Sequence, residues 1–553
     1  MFNTNSTPKH RRTRLTVEAL ESRDCPSYAI VNLLPPPGGL GNGSGAAALN
    51  DNGLVVGDGP QVSGYGRAAV WQVGAGATAA GTFLPQRVGD NYSDARGVNN
   101  GGLIAGVSGV VGSGPSHAVV WVGGGGSYAV HDLGILPSTL TFTFTSSSAG
   151  PVSEPDANGV IWVVGASRTS GNFPISHPTI WRIDSAGTVL SMIDLEPAEP
   201  ARAWANDVRV VGSTVLVVGD VNPAASGRAR VWTLDLAGNV QSQTTLGTLG
   251  GPFSTGQSIN SQGHVAGWSD QTNTSPDFGY IHRDGAMTNL GSLGTEGSWA
   301  EALNDSDTVV GHYWIKVKGT TWSQPRAFVW QGGPMLDLRG QLSSAARGSW
   351  ANLFYAFDVN AKGQIVGEGS VKIAKGRYEQ HGYIATPPAL NADSIASGVD
   401  VSALSADQLQ PSLTAALQRW QAAGADASRL SGLDIRIADL GGTTLGLASG
   451  NTIWIDRNAA GWGWFVDKTP RNDSEFRRPG NQGEKGRMDL LTVLAHELGH
   501  VLGFDHEDGG VMAETLGAGV RRPPVAIAHA HAIVTHTQLD WAAILEAVHS
   551  GKR

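Results

Sequence analysis

The feature that most constrains this chain of 553 residues is a pattern that recurs seven times between residues 48 and 387. Six of the seven copies have an asparagine in a polar turn; every copy has two apolar residues and a glycine, and later a strand-like segment that usually ends in tryptophan. The glycines are spaced by 44 to 59 residues, at Gly57, Gly106, Gly165, Gly219, Gly267, Gly311 and Gly367. A repeat of this length predicts an array of one small unit, because a single copy cannot bury its apolar face alone.

The sequence of each copy predicts a few short β-strands. The asparagine stands seven residues before the glycine in six copies, at Asn50, Asn99, Asn158, Asn260, Asn304 and Asn360; Gly212 replaces it in the fourth. The tryptophans are Trp71, Trp121, Trp181, Trp232 and Trp330. Asparagine and glycine favour tight turns, and a period near 50 with about four strands is typical of a β-propeller blade. We therefore assign turn and core roles to these residues and confine any surface ligand of the propeller to its rim loops.

The N-terminal end of the repeat region predicts a closed ring. Residues 27–33 match residues 127–133, where a copy has its Asp-Leu-Gly strand, whereas the seventh copy lacks this strand. The early strand can therefore complete the last blade and remove the exposed sheet edges. The prediction is an all-β, seven-bladed propeller over residues 28–387. The copies also resemble a bacterial extracellular repeat named for a His-Ala-Phe tripeptide, most closely at residues 117–119 and 326–328.

A second pattern lies near the C-terminus. His496, Glu497, His500, Gly503 and His506 form H-E-x-x-H-x-x-G-x-x-H. Histidines four apart on a helix share one face, so His496 and His500 can reach one metal ion. Gly503 lets the chain leave the helix sharply, and this turn brings His506 back to the same ion as a third ligand. Three ligands leave one tetrahedral position of zinc open, as in catalytic sites. The glutamate is placed to act on the attacking water.

Met512 follows His506 by six residues. The whole pattern resembles the metzincin signature with its Met-turn, and more narrowly the matrixin-like zinc endopeptidases. The resemblance implies one catalytic Zn²⁺ held by His496, His500 and His506, with Glu497 as the catalytic base. It also implies a protein or peptide substrate, and a turn at Met512 that packs beneath the metal. Calcium is left open, since no clear motif supports it.

The region around this motif predicts a small α+β metzincin-type domain at residues 401–553, after a linker at 388–400. Ser405 and Gln408 form a capping box, and a helical apolar face follows to Trp420. Two strands, a metal helix over 488–502 and a last helix over 537–548 complete the prediction. A further cluster, His529, His531 and His536, is assigned to the surface.

The N-terminal segment, residues 1–27, is basic and has no apolar core of a standard secretory signal. Residues 15–26 resemble a sorting motif of large bacterial surface proteins, which implies an extracellular or cell-surface location. Cys25 is the one cysteine, which excludes an internal disulfide. It only weakly resembles the latency cysteine of matrixins, so we treat it as part of the sorting segment.

Composition excludes two classes of partner. The net charge is −9 without a basic patch, so nucleic acid is not expected. No apolar run reaches the roughly 18 residues that a membrane span needs. The sequence therefore favours a secreted or surface zinc-dependent metalloendopeptidase whose propeller binds or positions substrate. The alternative is a non-catalytic surface adhesion or binding protein with a vestigial zinc domain; a purely structural zinc module would need a fourth ligand.

Overall fold

The computed structural model describes residues 28–525 apart from short gaps. The gaps are 40, 61–65, 75, 113, 140, 171–174, 198–201, 223–226, 273–275, 388, 395, 397–400, 427–429, 431, 439, 441–442, 450, 478–480, 505 and 507–509. The basic N-terminal segment with Cys25, the predicted helix at 537–548 and the cluster at 529–536 lie outside the described residues.

The repeat region forms seven antiparallel four-stranded blades, as predicted. Blades one and two contain β2 Gly45–Leu49, β3 Leu54–Gly59, β4 Arg67–Gln72 and β5 Thr78–Phe83, then β6 Tyr92–Val98, β7 Ile104–Gly109, β8 Ser116–Gly124 and β9 Ser127–Gly134. Blades three and four contain β10 Phe144–Val152, β11 Ile161–Thr169, β12 Ser176–Ile183 and β13 Val189–Asp194, then β14 Arg202–Val211, β15 Thr214–Asn222, β16 Arg228–Asp235 and β17 Val240–Thr245.

Blades five to seven follow the same plan. Blades five and six contain β18 Ser254–Ile259, β19 Val265–Asp270, β20 Asp277–Arg283 and β21 Ala286–Gly291, then β22 Ser298–Leu303, β23 Val309–Lys316, β24 Ser323–Trp330 and β25 Leu336–Asp337. A 3-10 helix, Leu338–Gln341, and α1, Ser344–Ser349, precede blade seven. Blade seven contains β26 Trp350–Val359, β27 Ile365–Ala374, β28 Arg377–Thr386 and the N-terminal strand β1 Ala29–Leu34. Consecutive blades contact one another, and blade seven contacts blade one, which makes a closed β-propeller.

Closure by the N-terminal strand is confirmed. Strand β1 pairs antiparallel with β28, with Ala29 opposite Thr386 and Leu33 opposite Gly382. Its other edge pairs parallel with β5 of blade one. The first described strand of the chain is therefore hydrogen-bonded to the last strand of the propeller.

The repeated glycines allow a close approach between the first two strands of every blade. Each faces the residue just before a β-bulge in the first strand. A Cβ at Gly57 would overlap the carbonyl oxygen of Gly45, and the other six glycines meet an equivalent carbonyl. The bulge adds one residue to the first strand, so any side chain at the glycine would push the two strands apart.

The repeated asparagines join neighbouring blades. Their Nδ2 atoms donate across blade boundaries, Asn50 to Asn99 O at 2.9 Å, Asn99 to Ser153 O at 3.0 Å, Asn260 to Asn304 O at 3.2 Å, Asn304 to Asn360 O at 2.9 Å and Asn360 to Asn50 O at 3.1 Å. The last bond links blade seven to blade one, and the five bonds together run from blade five through blade seven to blade three. We call this set of five residues the asparagine ring.

Blade three departs from the prediction for Asn158. Each ring asparagine also accepts a backbone N–H bond from the residue four positions later, and all but Asn99 accept a second from the residue two positions later, as Asn50 does from Leu54 and Asn52. In blade three Asp156 accepts these bonds, from Asn158 and Val160. The turn is thus shifted by two residues. The core role of the tryptophans is confirmed, since all five lie in the blade interiors, buried to 5% exposure or less.

The C-terminal part is a separate α+β unit. Its strands are β29 Ala389–Ala392, β30 Asp434–Ala438, β31 Thr444–Ser449, β32 Thr452–Asp456, β33 Trp464–Phe465, β34 Met488–Asp489 and β35 Thr515–Leu516, and its helices are α2 Ala406–Ala422, α3 Ser474–Arg477 and α4 Leu490–Val501. Five strands form one mixed sheet in the order β30-β32-β31-β29-β35. The capping box of Ser405 and Gln408 is present, and α2 buries Trp420 as predicted.

The linker prediction is wrong for residues 389–392. These residues form β29, which pairs antiparallel with β31 and parallel with β35 inside the C-terminal sheet. Pro387 and Pro388 suggested a connection without regular structure, but backbone pairing on both edges holds the four residues that follow as a strand. In the part of the chain that the structure describes, no helix is long and apolar enough to cross a membrane.

Candidate metal centre

Helix α4 carries the predicted metal motif and is anchored at both ends. Asp489 caps its N-terminus, with Oδ2 accepting from the Thr492 N–H at 3.1 Å. The apolar residues of the helix are buried against the sheet. The helix ends at Val501, and Gly503 has φ +89°, so the sharp exit predicted for this glycine is confirmed.

The exit from the helix brings the three predicted ligands together. The Nε2 atoms of His496 and His500 lie 2.9 Å apart, and each is 3.1 Å from Nε2 of His506. His496 Nδ1 donates to Val511 O at 2.8 Å, and His500 Nδ1 donates to Phe504 O at 3.0 Å. Because carbonyls only accept, these Nδ1 atoms carry the protons. The Nε2 atoms of both rings therefore present lone pairs to one point.

The surroundings keep the triad neutral. Burial and then the neighbouring histidines hold the pKa of His496 well below its usual value, and burial with the charge of His506 lowers that of His500 to about 3. Burial also lowers the pKa of His506. Neutral imidazole is the form that binds a metal.

These residues fit a tetrahedral ion. Zinc at about 2.0–2.1 Å from each nitrogen would separate the nitrogens by roughly 3.3 Å, close to the 2.9–3.1 Å between the three Nε2 atoms. Within the described ranges the cluster consists of these three histidines. Three protein ligands are the number that a catalytic zinc site uses. Asp505 and Glu507 lie outside the described residues.

Glu497 lies on the same helix and is fully buried, at 0% exposure. Its Oε1 accepts from the Leu390 N–H at 3.4 Å, and the Ala448 backbone also donates to the carboxylate. Among the described residues its Oε2 has no hydrogen-bond partner. Burial raises the pKa of Glu497 well above its ordinary value. A buried carboxylate with a free oxygen, on the helix that carries two of the converging imidazoles, is suited to proton transfer.

Met512 packs beneath the metal helix. It is 4% exposed, and its sulfur lies against Gly499, where even a Cβ would be too close. The preceding residue, Val511, accepts the bond that orients His496. The turn thus supports the helix through packing and orients one imidazole through its backbone.

Sequence reasoning missed two parts of this region. The first is β29, which covers Glu497; four residues after two prolines give too short a pattern to reveal a strand. The second is Arg521, whose guanidinium lies 2.7 Å from Asp489 Oδ1, 2.6 Å from Asp467 Oδ2 and 3.2 Å from Asp473 Oδ1. This cluster connects the segment after the Met-turn to the N-terminus of α4. No local motif marks it, since its members are distant in the chain.

Comparisons with known proteins give no family. No family model and no curated protein matches the chain. Among solved structures, a Trypanosoma rangeli sialidase in complex with the inhibitor DANA is 9% identical, with TM-score 0.33, covering 68% of this chain and 63% of that one. A Dyadobacter fermentans protein of unknown function is 13% identical, with TM-score 0.35, covering 66% and 100%. TolB from Acinetobacter baumannii is 14% identical, with TM-score 0.30, covering 52% and 62%. Likenesses at these values carry no argument about activity.

Proposed function

We propose that the C-terminal domain is a zinc-dependent metalloendopeptidase of the metzincin type and that the protein acts outside the cell or at its surface. The observation that carries this is the convergence of the His496, His500 and His506 Nε2 atoms at the helix that also carries the buried Glu497. A bound zinc ion would act as a Lewis acid and lower the pKa of water at the site to about 7.

The residues of the chain itself orient the histidines, transfer the proton and exclude water. The carbonyls of Val511 and Phe504 hold the His496 and His500 rings in the tautomer that leaves Nε2 free. Glu497 accepts the proton of the attacking water on its free Oε2 and returns it to the leaving amine. The buried apolar surroundings of α4 exclude bulk water from this transfer. The propeller would bind or position the substrate.

The test is a pair of substitutions in the full chain, with zinc content measured alongside cleavage of an unfolded protein. Glu497→Gln should retain one zinc per chain and lose about 10²–10⁴-fold in turnover, the usual contribution of a general base. His500→Ala should lose zinc and turnover together, because two imidazoles hold the ion poorly.

The control is Asp434→Asn, the same charge removal at a side chain that is 49% exposed on β30. It should leave both zinc content and turnover at wild-type levels. Near-normal cleavage by zinc-loaded Glu497→Gln protein would refute the peptidase assignment at its central residue.

One observation favours the alternative function, a surface adhesion or binding protein with a vestigial zinc domain. Glu497 is inaccessible in this conformation, because β29 lies over it. The alternative predicts that zinc-loaded wild-type protein cleaves no peptide even when β29 is displaced.

A further inference from the structure

Strand β29 lies in a slot whose two walls belong to the metal-binding part of the chain. On one side Leu390 is opposite Gly446 of β31, and Ala392 N donates to Thr443 O at 2.7 Å. On the other side Asn391 is opposite Thr515 of β35, and its N–H donates to Glu514 O at 3.0 Å. Strand β35 follows the Met512 turn directly. A four-residue segment is thus hydrogen-bonded through its backbone along both edges.

This segment occupies the space directly above the proposed catalytic base. The Leu390 N–H points at Glu497 Oε1, 3.4 Å away. Opposite it, Gly446 leaves room for the carboxylate, since a Cβ there would lie 2.8 Å from Glu497 Cγ. Glu497 is therefore beneath the Leu390–Gly446 pair. A scissile amide has to lie beside this carboxylate, and the backbone of the chain itself is already there.

We propose that residues 389–392 are an autoinhibitory strand that occupies the peptide slot of the C-terminal domain, and that an extended peptide binds by replacing it. The inference rests on the proposed peptidase function. Addition of a strand between β31 and β35 is recognition through the backbone, with side chains setting the preference. Leu390 is 1% exposed, in one cluster with Leu445, Val493 and Leu494, so the slot selects a peptide with a large apolar side chain at that position.

The position of the strand couples the slot to the propeller. Strand β28 of blade seven ends at Thr386 and β29 begins at Ala389, so two residues separate them. The two parts also touch where Thr452 Oγ1 donates to Ser306 Oγ at 3.0 Å. A tethered strand competes with free peptide at high effective concentration. Displacement of the propeller relative to the sheet would draw the strand out.

The test locks the strand in place and measures peptide binding. In a full chain carrying Cys25→Ser, Asn391→Cys with Thr444→Cys joins cross-strand partners of β29 and β31. The control lock, Thr233→Cys with Ser242→Cys, joins partners within blade four. The probe is a fluorescent peptide with the sequence of residues 386–394, and a second peptide with aspartate in place of its leucine is the negative probe. Binding is followed by anisotropy in the oxidised and reduced proteins.

Reduction of the β29 lock should tighten binding of the first peptide at least tenfold, whereas the control lock should show equal affinity in both states. Equal affinity for the β29 lock in both states, or no binding after reduction, overturns the inference. Leu390→Asp in the wild-type chain should likewise tighten peptide binding at least tenfold, with hydrogen exchange of α4 unchanged to show that the domain is folded.

Zinc-dependent cleavage is measured on the same samples and separates the two proposals. If the reduced protein binds the peptide but cleaves no substrate, replacement of β29 by peptide is supported and the peptidase function is refuted. If the locked protein cleaves substrate as fast as the reduced protein, the peptidase function is supported and the autoinhibitory role of β29 is refuted.

Discussion

Arg521 offers a test of how the metal helix is held in place. Its side chain is 2% exposed, and its partners Asp467 and Asp489 are 2% and 0% exposed. Nε and Nη2 bind both oxygens of Asp489, at 3.0 and 2.7 Å, and the guanidinium also lies 4.3 Å from the centre of the Phe476 ring. Removing one partner of such a buried pair leaves uncompensated charge and costs about 3–5 kcal/mol. Arg521→Ala should therefore lower the free energy of unfolding of the C-terminal domain by this amount.

The same cluster contains a matched control. Arg477 faces Asp473 at 3.8 Å with a side chain that is 80% exposed, so Arg477→Ala should cost less than about 0.5 kcal/mol. Urea unfolding, with hydrogen exchange of α4 to isolate this domain, measures both. A loss below about 1 kcal/mol for Arg521→Ala would show that its ion pairs do not stabilise the domain, contrary to the burial argument.

The pH dependence of this loss has a definite sign. Burial alone would raise the pKa of Asp473, but the hydrogen bonds and charges of Arg419 and Arg521 outweigh it and hold this pKa below its ordinary value. A carboxylate with a lowered folded-state pKa stabilises the fold above the unfolded pKa, about 3.9, and loses that contribution as the pH falls through the folded value. The difference in the free energy of unfolding between the wild type and Arg521→Ala should therefore become smaller as the pH falls below about 3.9.

Three further predictions concern the propeller. Asn360→Ala removes the bond that joins blade seven to Asn50 of blade one and should lower the free energy of unfolding in urea by about 1–3 kcal/mol. The control, Asn52→Ala, removes an exposed bond and should lower it by less than about 0.5 kcal/mol. Equal losses in the two variants would contradict a special role for the asparagine ring. Burial, with Asp94 and Glu368, raises the pKa of Asp58 to about 7, so stability is lost as the pH rises through that value. Asp58→Asn should then raise the melting temperature at pH 8 but not at pH 4, and no gain at pH 8 would refute this. Deletion of residues 1–34 removes β1 and should raise hydrogen exchange most in blade seven; unchanged protection there would contradict closure by that strand.

The repeats made most of the propeller predictable from the sequence. Glycine recurs in all seven copies, and asparagine and tryptophan in most, because each meets the same local demand: a strand contact without room for Cβ, a turn whose amide donates to the next blade, and a filled blade interior. The shift from Asn158 to Asp156 was not predictable from spacing alone. Asparagine and aspartate offer the same acceptor oxygen, so either can close the turn.

The candidate site was predictable only within the helix and its exit. His496, His500 and His506 follow from helical geometry and one glycine turn. The burial of Glu497 does not, because it depends on a strand that is 107 residues away in the chain. Neither does the bidentate pairing of Arg521 with Asp489 across 32 residues. Contacts of this kind are fixed by tertiary packing, and neither partner carries a local signal.

The asparagine ring also bears on how such a chain could change its size. The side chain of each ring asparagine supplies the donor, and the carbonyl of the same residue accepts in four of the blades, at Asn50, Asn99, Asn304 and Asn360. Each of those blades therefore carries a donor on one side and the matching acceptor on the other, as in head-to-tail assemblies. Such contacts close into a ring whenever the rotation from one blade to the next allows it. Duplication of one repeat would create a junction that is already compatible with its neighbours. The number of blades would then be set by the angle between sheets and not by the chemistry of the joints.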